Sequence, residues 1–192
     1  NYQVAGKGKP LVFLHGWAMC SRVWNYQVAH LAGDYQVICP DLPGHGGSGY
    51  SPGGCDFASL TRDIAFFIEG LGLERMTLVG WSIGASVALM LAAGHRLLVD
   101  ALVLVDGTPS FMARDGFPHG LPPAVLKRML KLADADFPRA LQEFHGLLLS
   151  VEDQALPSGD EIRDLLTNEQ YLPRPDDARS LAGLLLSALC HP

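Results

Sequence analysis

Apolar residues fall along this chain in short unbroken runs separated by stretches of helical period. Residues 10–14, 35–39, 75–79 and 101–105 are such runs, rich in Val, Leu and Ile, and read as strands of a parallel sheet covered on both faces. Between them, Val23, Trp24, Val28 and Leu31 mark the apolar face of a helix that Ser21 caps. Phe57, Leu60, Ile64, Phe67, Ile68 and Leu71 mark a second, which begins at Asp56 or Ser59. Residues 83–93 are apolar or small almost all round, as in a helix buried against the sheet. Strands alternating with helices through short connections predict an α/β fold with a parallel sheet and helices on both faces. After Gly107 the alternation stops. A loop rich in Pro and Gly covers 107–123, and helical segments follow near 123–133, 137–149, 159–169 and 176–189, laid over the strand ends.

The chemistry concentrates where strands end. Ligands of parallel sheets bind at the carboxyl ends of the strands, and His15-Gly16, Asp41-Leu42-Pro43, Ser82 and Asp106 all fall there. Gly80-Trp81-Ser82-Ile83-Gly84 follows a strand and opens a helix, the context of a serine nucleophile on a strained turn. A Cβ at Gly80 or Gly84 would collide with neighbouring backbone. The N–H of Ile83, at the helix start, is available to a developing oxyanion, and the His-Gly turn brings the N–H of Trp17 alongside as the second donor. His15 itself reads as a structural histidine bonded to nearby backbone. Without its context, the same string is an ordinary Gly/Ser turn.

Composition narrows the partners. Net charge is −6 with no basic run, which argues against nucleic acid. Apolar stretches are broken before they could span a bilayer, and no secretion signal is visible from Asn1, so a cytoplasmic monomer is expected. Cys20, Cys39, Cys55 and Cys190 have neither zinc-site nor disulfide-scaffold spacing and read as free thiols. The seven histidines lack ligand spacing, so neither metal nor cofactor is expected. The 44–49 loop, Gly-His-Gly-Gly-Ser-Gly, lacks the Lys and the directly following helix of a phosphate loop.

With these pieces placed, the chain resembles the α/β-hydrolase superfamily along essentially its whole length. Within it the chain looks like the pimeloyl-acyl-carrier-protein methyl ester carboxylesterases of biotin synthesis. The residues that carry this are His15-Gly16-Trp17 with Trp24, Asp41-Leu42-Pro43-Gly44-His45-Gly46-Gly47-Ser48, Gly80-Trp81-Ser82-Ile83-Gly84, Thr108-Pro109-Ser110-Phe111, Arg114-Asp115-Gly116-Phe117-Pro118, and residues 136–144. The resemblance implies a core over 1–106 and a helical cap, inserted after the sixth strand of the family's numbering, over 107–192. It implies that Ser82 attacks a methyl ester and forms an acyl-enzyme, with Trp17 and Ile83 as backbone oxyanion donors. Trp17, Phe144 and Leu148 would line the acyl channel, with ordinary packing as the alternative. Lys127, Arg128, Lys131 and Arg139 would dock an acidic acyl carrier protein, although Glu143 stands where a further arginine is expected.

A serine needs a base, and the base an orienting carboxylate. The family order is serine, acid, histidine, and the strands that carry the last two are not recognisable before Pro192. Asp106 reads as an acid bonded to local backbone. His119, His145 and His191 lack a strand end to position them. The expectation is therefore a fragment of a longer hydrolase, with the last strands absent and the first ones upstream of Asn1, and no turnover by these residues alone. The alternatives are a general esterase or carbon–carbon bond hydrolase of the same fold, or a non-catalytic acyl-binding protein.

Overall fold

The computed structural model describes residues 1–49, 56–95, 98–108 and 110–148, together with positions 160, 164 and 183. Its elements are β1 (Tyr2–Ala5), β2 (Lys9–Leu14), a 3-10 turn (Ser21–Trp24), α1 (Asn25–Leu31), β3 (Tyr35–Pro40), α2 (Phe57–Gly70), β4 (Met76–Trp81), α3 (Ile83–Gly94), β5 (Val99–Val105), α4 (Pro123–Ala135) and α5 (Phe137–Leu148). The sheet order is β1-β3-β2-β4-β5. β2, β3, β4 and β5 run parallel, and β1 adds an antiparallel edge on β3.

Strand alternation sorts the apolar residues onto two faces. Val12, Leu14, Ile38 and Leu78 join the main core with Leu60, Ile64 and Ile68 of α2 and Val87 and Leu91 of α3. Leu11, Phe13, Val37 and Val79 form a smaller cluster with Trp24, against which Val28 and Leu31 of α1 pack. Helices thus cover both faces, as the apolar runs predict. Residues of α4 and α5, Ala133, Phe137, Ala140 and Leu141, complete the main core beside Trp17.

Three expectations change. No strand is read before residue 10, yet β1 forms at Tyr2–Ala5; four residues of half-exposed alternation are too short a signal to read. Ser21 caps nothing: Cys20 precedes the 3-10 turn without a side-chain cap, and the Ser21 hydroxyl instead accepts from Gln3 Nε2 at 3.1 Å. α3 is not buried all round, since Leu89 and Met90 are 45% and 43% exposed. β5 forms the other edge of the sheet, with one strand neighbour among the described residues and Val103, Leu104 and Val105 exposed. The helices expected near 159–169 and 176–189, and Cys55, Cys190 and His191, lie outside the described residues, single helical positions at 160, 164 and 183 apart. Among the described residues, no helix is long and apolar enough to cross a membrane.

Candidate active site

Ser82 sits between the end of β4 and the start of α3 with φ 55° and ψ −117°, a conformation that L-residues avoid. Its amide donates to the Val105 carbonyl at 3.0 Å, and its carbonyl accepts the Ala85 N–H at 2.9 Å. Serine in this position ordinarily caps the helix with its hydroxyl. Here the side chain makes no cap bond, so the hydroxyl is left for other chemistry. The turn is held by close backbone approach. A Cβ at Gly84 would overlap the Leu14 carbonyl oxygen and come within 2.6 Å of that of His15; one at Gly80 would overlap the Gly84 carbonyl oxygen. The two glycines therefore press the start of α3 against the ends of β2 and β4. Ile83, first residue of α3, has no acceptor for its N–H within the helix.

The loop after β2 lies alongside. A Cβ on Gly16 would stand 3.5 Å from Ser82 Cβ and 3.3 Å from the Trp81 ring. Ala18 takes φ 58° in the turn closed by Met19 N–H donating to the Gly16 carbonyl. His15 is fully buried and braces this loop. Its Nδ1–H donates to the Gly16 carbonyl at 2.8 Å, and its Nε2 accepts the Leu42 N–H at 2.9 Å. An amide can only donate, so the ring must be neutral with its proton on Nδ1. Burial agrees, pushing the His15 pKa down to about 4.

Asp41 ties three segments to the same place. Its carboxylate accepts from Ser21 N at 2.7 Å, Asn1 Nδ2 at 2.7 Å and Gly47 N at 2.8 Å. Burial works to raise its pKa, but the hydrogen bonds from Asn1, Ser21 and Gly47 outweigh it and hold the carboxyl below the usual range. His45 packs edge-on to His15 with ring centroids 5.2 Å apart. Its Nδ1–H donates to the Pro43 carbonyl at 3.0 Å, while its buried Nε2 has no partner among the described residues. Burial, and then the neighbouring His15, push its pKa down to about 3. The sequence placed Asp41 at a strand end and His45 in the loop that follows, without assigning either a partner. Their position directly after a strand, in a loop dense with glycine, was the available signal.

Of the residues expected in the site, Trp17 and Phe144 meet. Trp17 is 2% exposed, and its ring stands edge-on to Phe144 at 4.9 Å and to Phe137 at 6.3 Å. Leu148, half-buried, ends α5 on the same face. Arg139 is exposed and paired with Glu143 at 3.5 Å, and Glu143 also pairs with Arg128 at 3.2 Å. Asp106 corrects its expectation. It is exposed with φ 48°, and among the described residues its carboxylate bonds no backbone group. His119 is exposed, its ring set against that of Phe117 at 5.7 Å. His145 is buried in α5. Among the described residues, no group of three or more His, Cys, Asp or Glu is placed to hold a metal ion.

Comparison with known proteins agrees with this geometry. Residues 9–183 match the alpha/beta hydrolase fold family. The pimeloyl-[acyl-carrier protein] methyl ester esterase of Aeromonas hydrophila is 35% identical over 185 residues, which are 95% of this chain and 69% of that protein. Its counterpart in Vibrio cholerae is 32% identical over 97% of this chain and 70% of its own length. The structure of an esterase from Exiguobacterium antarcticum superposes with TM-score 0.78 at 27% identity, over 94% of this chain and 68% of the other. With a serine turn, a braced loop beside it and a parallel sheet beneath, this chain belongs to the α/β-hydrolase fold family.

Proposed function

We propose that this chain carries the nucleophile of a serine carboxylesterase that hydrolyses the methyl ester of an acyl chain borne on an acyl carrier protein. The observation that carries the reading is the strained Ser82 turn, whose hydroxyl makes no helix-cap bond. Ser82 Oγ attacks the ester carbonyl carbon and gives its proton to a base. The N–H groups of Trp17 and Ile83 hold the oxyanion. The carbon–oxygen bond to the methoxy group then breaks, and methanol leaves with a proton. Water repeats the sequence on the acyl-enzyme and releases the carboxylic acid. Trp17, Phe144 and Leu148 line the acyl channel, residues 1–106 act as core and 107–192 as cap, and Arg139 contributes to carrier docking. The base and its carboxylate are read as belonging to a further part of the protein, a reading supported by relatives of which this chain spans about 69%. The names of those relatives support the substrate class.

A second reading, a general esterase acting on free esters, is favoured by one observation. Glu143 pairs with both Arg128 and Arg139 and offsets one of their two charges, leaving less cationic surface for an acidic carrier. Rates of the full-length protein on a carrier-bound methyl ester and on a free aryl ester separate the two. Carrier-linked ester cleaved far faster, with the activity abolished in Ser82→Ala, is the expected result; equal rates would establish the general esterase. The 192 residues alone are expected to show no turnover above their Ser82→Ala control.

A further inference from the structure

His145 stands out on α5, the helix whose Phe137 and Phe144 pack against Trp17. α5 turns one face inward, carrying Phe137, Leu141, Phe144 and His145 at helical spacing. That face reaches Ser82 through a short series of neighbours: Phe144 lies against Trp17, Trp17 follows Gly16, and Gly16 abuts Ser82. Every other side chain named in it is apolar. His145 is only 6% exposed, yet its Nε2 is buried with no hydrogen-bond partner among the described residues. Burial pushes its pKa down to about 4, so at neutral pH the ring keeps one N–H donor and one lone pair. A leucine there would pack equally well without leaving a polar atom unpaired, and native interiors keep few such atoms.

We propose that His145 is a specificity-determining residue of the ester site. Its Nε2–H donates to an acceptor oxygen on the acyl chain, so that esters carrying a second carbonyl group are taken in preference to plain alkyl esters. This rests on the esterase reading above and adds to it the residue that recognises the second carbonyl of the acyl chain. A site built around a buried donor discriminates against ligands that leave the donor unpaired.

The test uses the full-length protein carrying Ser82→Ala, so that probes bind without turnover. The two probes are the dimethyl ester of a seven-carbon diacid and the methyl ester of a seven-carbon monoacid. They differ by one ester group. The diester should bind about tenfold more tightly, and that ratio should fall to about one when His145→Leu is added, with monoester affinity retained. The imidazole nitrogen resonances of His145, followed in protein with ¹⁵N-labelled histidine, should shift with the diester and stay put with the monoester. This second measurement needs no substitution at His145 and decides the matter if His145→Leu does not fold. A diester preference that survives His145→Leu, or an unmoved His145 signal, would overturn this proposal alone. Failure of both probes to bind would overturn it together with the ester-site reading.

Discussion

At the scale of single residues, the candidate site is made by positions where a side chain must be absent and positions where one must be neutral. Gly84 leaves no room for a methyl group against the carbonyls of Leu14 and His15. Gly84→Ala should therefore push α3 off the strand ends and cost at least about 2 kcal/mol of stability, within the range of overpacked sites. Urea unfolding checks this; a loss below about 0.5 kcal/mol would mean that the turn tolerates side chains. His15 acts through its neutral tautomer, which donates to Gly16 and accepts from Leu42 at once. Gly80, Ser82 and Gly84 were legible in the sequence because their spacing is imposed by this backbone contact. The tautomer of His15 and the unpaired Nε2 of His145 were not legible, since both depend on atoms supplied by other segments.

At the scale of elements, local chemistry and tertiary packing contribute differently. The start of α2 could be read locally: Asp56 accepts from Ser59 N at 2.7 Å while Ser59 Oγ accepts from Asp56 N at 3.0 Å, a reciprocal cap. Asp56→Ala should cost about 1 kcal/mol, read as a lower unfolding midpoint with unchanged denaturant dependence; no change would mean that packing alone sets this end of α2. The strands of the parallel sheet were legible from their continuous apolar runs. β1 was not, because its place is set by pairing with β3 rather than by its own pattern. Ser21 misled for a similar reason: its amide is taken by Asp41, twenty residues along the chain. The helix at α5 was legible, but the face it buries and its contact with Trp17 belong to the fold.

At the scale of the molecule, the buried pair His15 and His45 links the loop after β2 to the loop after β3, and with them folding to pH. Both would titrate near 6.5 when unfolded but only near about 4 and about 3 when folded. Between those limits the unfolded chain binds more protons, so stability is full above pH 6.5 and falls as the pH drops below it. Asp41, held below its usual range, adds a further loss as the pH falls through the carboxylate region. Each histidine contributes a slope of up to about 1.4 kcal/mol per pH unit. Unfolding free energies measured from pH 7 to pH 5 should show this decline, and His45→Phe should make it shallower by about one proton; a slope unaffected by the substitution would remove His45 from the account. The loop after β2 meets β4 and β5 at Ser82, so the reactivity of that one hydroxyl reports whether the arrangement is a working site. The most direct measurement is the intact mass of the full-length protein after treatment with a fluorophosphonate, with the adduct mapped by peptide sequencing. The account predicts one adduct, on Ser82, absent from Ser82→Ala; labelling that persists in that variant, or that maps to another residue, would contradict it.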